Sequence, residues 1–137
     1  MAVIRELIRS EEDGSISFGN YELSEKTKKS DFKHSGDIYK VKTFNELTRL
    51  ERNELFVYES VPGTAVQQLN YTDLGMKFTV EGKADVQITV EAEADAAYDI
   101  YLDGELRDTQ KTNLGGKLSF SVDLEDGKSV SVEIAKK

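Results

Sequence analysis

The chain has no cysteine and no tryptophan, and among its 137 residues it holds one proline and one histidine. Without cysteine there are no disulfides, no thiolate nucleophile and no zinc–thiolate site. A lone histidine, His34, leaves a transition-metal site short of its usual ligands. No stretch approaches the roughly 18 apolar residues of a membrane span. Met1 to Arg9 shows no cationic leader followed by a long apolar run, so no signal peptide is read there. Cytoplasmic location is the default expectation, with surface association left open. A glycine-rich phosphate loop is also missing, since Gly115-Gly116 lies between strand-like runs and opens no helix.

Positive charge is scarce as well. The formal net charge is −8, with 38 % hydrophobic and 32 % charged residues. Residues 1–69 carry 12 acidic and 10 basic side chains, and residues 70–137 carry 14 and 8, so the acidity is concentrated in the second half. A surface of that sign repels phosphate backbones and anionic bilayers, which argues against nucleic acid and membrane as partners. No cofactor is implied. The modest apolar content suits a thin sandwich or an oligomer better than a large globule.

What is plentiful is alternation. Met76, Phe78 and Val80 face one way and Lys77, Thr79 and Glu81 the other; Val86, Ile88 and Val90 repeat the pattern. So do Tyr98, Ile100 and Leu102, then Leu118, Phe120 and Val122, then Val130, Val132 and Ile134. Period-2 patterning broken by glycine signals predicts half-buried antiparallel strands, with Asp103-Gly104 as the clearest hairpin turn. Leu106 to Thr112 is mostly polar and reads as an edge strand guarded by Arg107, Asp108 and Lys111. The fold class is therefore all-β, with two facing sheets over residues 71–137.

Residues 1–70 form a separate β-rich region in this reading. A hairpin across Asp13-Gly14 pairs residues 3–9 with Ser15 to Phe18. Residues 24–36 are polar apart from Phe32 and read as a loop, whose Lys26, Lys28, Lys29 and Lys33 form the basic cluster of the chain. The plain account of that cluster is a solvated loop, and the sharper one is a contact for an acidic partner. Residues 43–53 admit two readings. Thr43 with Glu46 fits a helix capping box, whereas a hairpin turning at Arg52-Asn53 into Leu55 to Ser60 is the favoured alternative. Pro62-Gly63 suits a type II turn, and residues 70–75 mark the internal boundary.

Candidate chemistry is sparse. Glu59, in an aromatic run before the Pro-Gly turn, is the most unusual carboxylate, though a strand-edge glutamate is the simpler account. Tyr58 beside it and the outward-alternating Tyr101 are the candidate binding aromatics. Asp123, Glu125 and Asp126 before Gly127, with Asp95, Asp99, Asp103 and Asp108, offer oxygen ligands for calcium, but without EF-hand spacing.

The run Tyr98 to Gly104, followed by Thr112-Asn113 and Gly116 to Val122, is similar to the C-terminal strands of fibronectin type III-like and other immunoglobulin-like modules, which are appended to bacterial carbohydrate-active enzymes. That resemblance, over residues 74–137, implies an immunoglobulin-like sandwich on which the N-terminal hairpins pack. The whole chain, including Ser17 to Tyr21 and Tyr58 to Thr64, also resembles short bacterial proteins labelled "endosialidase". The label implies a glycosidase acting on polysialic acid. Sialidases clamp the substrate carboxylate with an arginine cluster and carry Asp-box turns ending in tryptophan. This chain has five arginines, no tryptophan and no Asp box, so no catalytic residue carries over.

The reading that results is a non-catalytic structural or assembly protein, self-associating as a homo-oligomer or binding another protein. A carbohydrate-binding accessory module is the alternative, and a cryptic glycoside hydrolase the third.

Overall fold

The computed structural model describes residues 3–72 and 74–137, and every regular element in them is a strand. The first seven are β1 (Ile8–Ser10), β2 (Ile16–Phe18), β3 (Thr27–His34), β4 (Asp37–Phe44), β5 (Leu47–Arg52), β6 (Leu55–Val61) and β7 (Ala65–Thr72). The remainder are β8 (Gly75–Glu81), β9 (Val86–Glu91), β10 (Ala97–Leu102), β11 (Glu105–Lys111), β12 (Lys117–Val122) and β13 (Ser129–Lys136). They form two antiparallel sheets packed as a β-sandwich, in the orders β1-β2-β7-β8-β13-β10-β11 and β12-β9-β6-β5-β4-β3.

Alternation explains most of this. In β12, Leu118, Phe120 and Val122 are buried while the residues between them are exposed. They meet Met76, Phe78, Val80, Ile100 and Ile134 of the facing sheet in one apolar core. At its centre Tyr58 makes edge-to-face contacts with Phe18 and Phe78, at ring-centroid distances of 5.3 and 5.7 Å, and so joins the two sheets.

Strands from both sides of residue 70 share each sheet, and the boundary expected there falls inside β7. The β4–β5–β6 meander takes the hairpin form for residues 43–53. Two expectations change. The polar loop at 24–36 is largely the strand β3. Only Thr27, Phe32 and His34 of that strand are partly covered, because it is the last strand of its sheet, so a period-2 apolar signal has nothing to record. The Pro62-Gly63 turn is not type II. That turn needs positive φ at Gly63, which does not have it, and the Val61–Pro62 bond is cis. Gly63 is required for a different reason: a Cβ there would sit 2.0 Å from the Phe44 carbonyl oxygen.

Odd-numbered strands run toward one end of the sandwich and even-numbered strands toward the other. The two ends differ in chemistry, and that difference locates the candidate site.

Candidate functional site

One end is sealed by hydroxyl groups. Thr43, Thr48, Ser60 and Thr64 are fully buried there. The Thr48 hydroxyl donates to the Thr64 carbonyl at 2.9 Å and accepts from the Thr64 amide at 3.0 Å. Its one proton being committed, the contact of 2.8 Å with Thr43 has Thr43 as donor, and Thr43 in turn accepts from the Asn20 amide. Thr64 Oγ1 then bonds both the Tyr58 hydroxyl and Ser60 Oγ, each at 2.8 Å. Burial pushes the Tyr58 pKa well up against the lowering pull of Thr64 and Ser60, so the phenol stays protonated. Beside this chain Tyr21 donates to the buried Glu81 at 2.8 Å, and burial followed by that carboxylate raises the Tyr21 pKa.

The candidates named from sequence are scattered by this architecture. Tyr58 is 1 % exposed and its hydroxyl is spent in the seal. Glu59, on the opposite face of the same strand, is held by Arg49 at 2.9 Å, while Arg49 also reaches Glu51 at 3.2 Å. Tyr101 lies half-buried in β10, between Leu106 of β11 and Glu133 of β13. The three point into the core, off one sheet and off the other, and do not form a common site. His34 bridges the sheets, with Ser10 Oγ at 2.7 Å and the Gly14 carbonyl at 2.9 Å. Of the calcium candidates, Asp95 pairs with Lys111, Asp99 accepts from Thr109, and Asp103 accepts from the Ser131 amide. Among the described residues no three carboxylate or histidine side chains gather closely enough to hold a metal ion.

The other end is open. Seven large apolar side chains are exposed among the described residues, and five of them, Ile38, Leu55, Tyr71, Leu74 and Leu114, belong to this end. Leu114 is 89 % exposed, Leu55 67 % and Leu74 57 %. Between the sheets sits Arg52, its guanidinium 4.5 Å from the centre of the Tyr71 ring. Arg52 has no carboxylate partner among the described residues. Burial raises the Tyr39 pKa, opposed by Arg52, and burial pushes that of Tyr71 up to about 12, again against Arg52. Arg52 and Tyr71 form the wall shared by two clefts of about 300 and 210 Å³.

The turn after Arg52 is unusual. Asn53 and Glu54 both have positive φ, 52° and 69°, the type I′ geometry for which Asn-Gly is the easy sequence. Asn53 earns its place: its amide donates to Ile38 O at 2.7 Å, its side-chain oxygen accepts from Ile38 N, and its side-chain nitrogen donates to Asp37. Glu54 has no such role, and a non-glycine residue there costs roughly 1–2 kcal/mol. It stands exposed, without an ion-pair partner among the described residues. The sequence signal for this end was leucine at turn positions, Leu74 before Gly75 and Leu114 before Gly115-Gly116, where polar residues are the rule.

A scan against protein-family models, a search of curated proteins and a search of solved structures each found no match to the chain.

Proposed function

We propose that the protein is a non-catalytic assembly module that pairs end to end with a second copy of itself through the open end. The observation that carries this reading is the presence of five exposed apolar side chains at the end where Arg52 lies against Tyr71 with no carboxylate partner among the described residues. A second copy is the occupant the chemistry favours. Arg52 and Glu54, a cation and an anion two residues apart and each without an ion-pair partner among the described residues, make the patch complementary to itself about a two-fold axis, each arginine meeting the partner's carboxylate. The strain kept at Glu54 fits a residue retained for contact rather than for the turn. The resemblance of residues 74–137 to immunoglobulin-like modules agrees with a scaffold that works through its end loops. A hydrolase reading gains nothing from Glu59, whose carboxylate is tied to Arg49.

Sedimentation velocity at increasing concentration tests the proposal. A dimer that grows with concentration, is lost in Leu114→Glu and in Arg52→Glu, and returns in the charge swap Arg52→Glu with Glu54→Arg is the expected result. A monomer throughout would remove the reading.

A further inference from the structure

The β3–β4 hairpin carries a row of lysines that form no ion pair among the described residues, although Glu51 stands opposite Lys40. Between residues 26 and 42 lie Lys26, Lys28, Lys29, Lys33, Lys40 and Lys42, against only Asp31 and Asp37. None of these lysines has an ion-pair partner among the described residues, in a chain with 26 carboxylates. Worse for stability, Lys28 is registered with Lys42 and Lys42 with Arg49, so three cations stand side by side across β3, β4 and β5. Like charges directly opposite in a sheet are destabilising. Lys26 lies over the Phe44 ring at 5.9 Å and Lys29 over Phe32 at 5.7 Å, which orients their ammonium groups.

This row borders a free strand edge. β3 is the outermost strand of its sheet, and among the described residues no backbone hydrogen bond crosses its outer side. Near His34 the edge is approached by β1 through Ser10, whereas residues 27–29 form a regular open edge that ends at a bulge, where Asp31 has a φ of 58°. An edge of this kind accepts an added strand, and flanking charge decides which strand. The lysines repel a second β3 and favour a segment carrying carboxylates.

We infer that the β3 edge binds an extended acidic segment of a partner polypeptide, added as a seventh strand beside β3 with its carboxylates against the outward-facing Lys28 and Lys42. This rests on observations separate from the end-to-end pairing. A nucleic acid fits less well, because a polyanion lying across this sheet would meet Glu51, Glu59 and Glu91, whereas a strand following the edge meets only Asp31.

The test uses a fluorescein-labelled peptide of alternating Glu and Thr, followed by anisotropy at low salt on the full chain. Binding is expected, weakening as salt rises and falling about tenfold or more in Lys28→Glu with Lys42→Glu. That double variant exchanges one like-charge pair for another and sets a carboxylate at position 42 opposite Arg49, so it should melt close to the parent, and its melting curve checks this. A Glu-Pro-Pro repeat, held in polyproline II and lacking two amide donors in every three, cannot form the ladder and should bind far more weakly. Amide exchange at residues 27–29 should slow when the first peptide is added. Absence of binding, equal binding of the proline peptide, unchanged exchange at 27–29, or tighter binding of oligothymidylate or polysialic acid than of the peptide would each overturn the inference.

Discussion

The two ends of the sandwich are built from the same kind of strand and finish in opposite ways. At the sealed end, buried hydroxyls, Tyr58 and the Tyr21–Glu81 pair account for one another's protons, and the chain turns at Gly63 against the Phe44 carbonyl. At the open end, Arg52 has a ring beside it and no carboxylate partner among the described residues, and leucines occupy turns. The buried hydroxyls are satisfied where no partner is needed, with Glu81 Oε1 the exception there, and apolar groups are left wet where one would fit. The lesson is that polarity alone does not mark a working surface in this protein. The hydroxyl-rich stretch is scaffold, and the leucine-bearing turns are the exposed chemistry.

A matched pair of substitutions would break this contrast most sharply. Tyr58→Ala removes the ring that bridges the sheets together with a buried hydrogen bond, and should cost about 3–5 kcal/mol in urea unfolding. Tyr71→Ala, the same change at the open end, should cost less than about 1 kcal/mol. Similar losses at both ends would mean that the open end is structural too.

Alkali should act through the sealed end next. Tyr58 and Tyr21 have folded-state pKa values raised above the ordinary tyrosine value of about 10, chiefly by burial. The sign follows directly: the unfolded phenols ionise first, so the stability these groups contribute is complete below pH 10 and is lost as pH climbs from there toward their folded values. Urea midpoints should therefore fall above pH 10, and Tyr58→Phe should flatten that fall. An unchanged alkaline slope in Tyr58→Phe would exclude the residue as its source.

Glu54→Gly sharpens the comparison from the other side. Relief of the positive φ should raise stability by about 1 kcal/mol while weakening self-association. A gain in stability with pairing intact would show that Glu54 makes no contact. The smallest effect is expected for His34→Ala, which loses the bridge from β3 to Ser10 and Gly14 and should cost about 0.5–1 kcal/mol at neutral pH.

Much of the scaffold was legible in the sequence because half-buried strands record their burial every second residue. β8, β9, β10, β12 and β13 were each visible in this way, and Asp103-Gly104 turns as its sequence demands, with φ of 52° and 83°. β3 was not legible, since a strand at the edge with both sides wet leaves no alternation to read. The stretch from Tyr58 to Thr64 is shaped from within: its hydroxyls bond one another across two turns, a pattern that no periodicity records. The open end could not be read as a unit. Its members at positions 38, 52, 55, 71, 74 and 114 share one end only because alternate turns of the antiparallel sheets fall there, and no local pattern links them.

Hydrogen exchange compared between dilute and concentrated protein tests the central claim most directly. The account predicts that concentration slows exchange at the turns around residues 53–56, 74–75 and 112–116, and leaves residues 43–48 and 60–64 unchanged. Slowing confined to the sealed end, or no difference at any concentration, would contradict it.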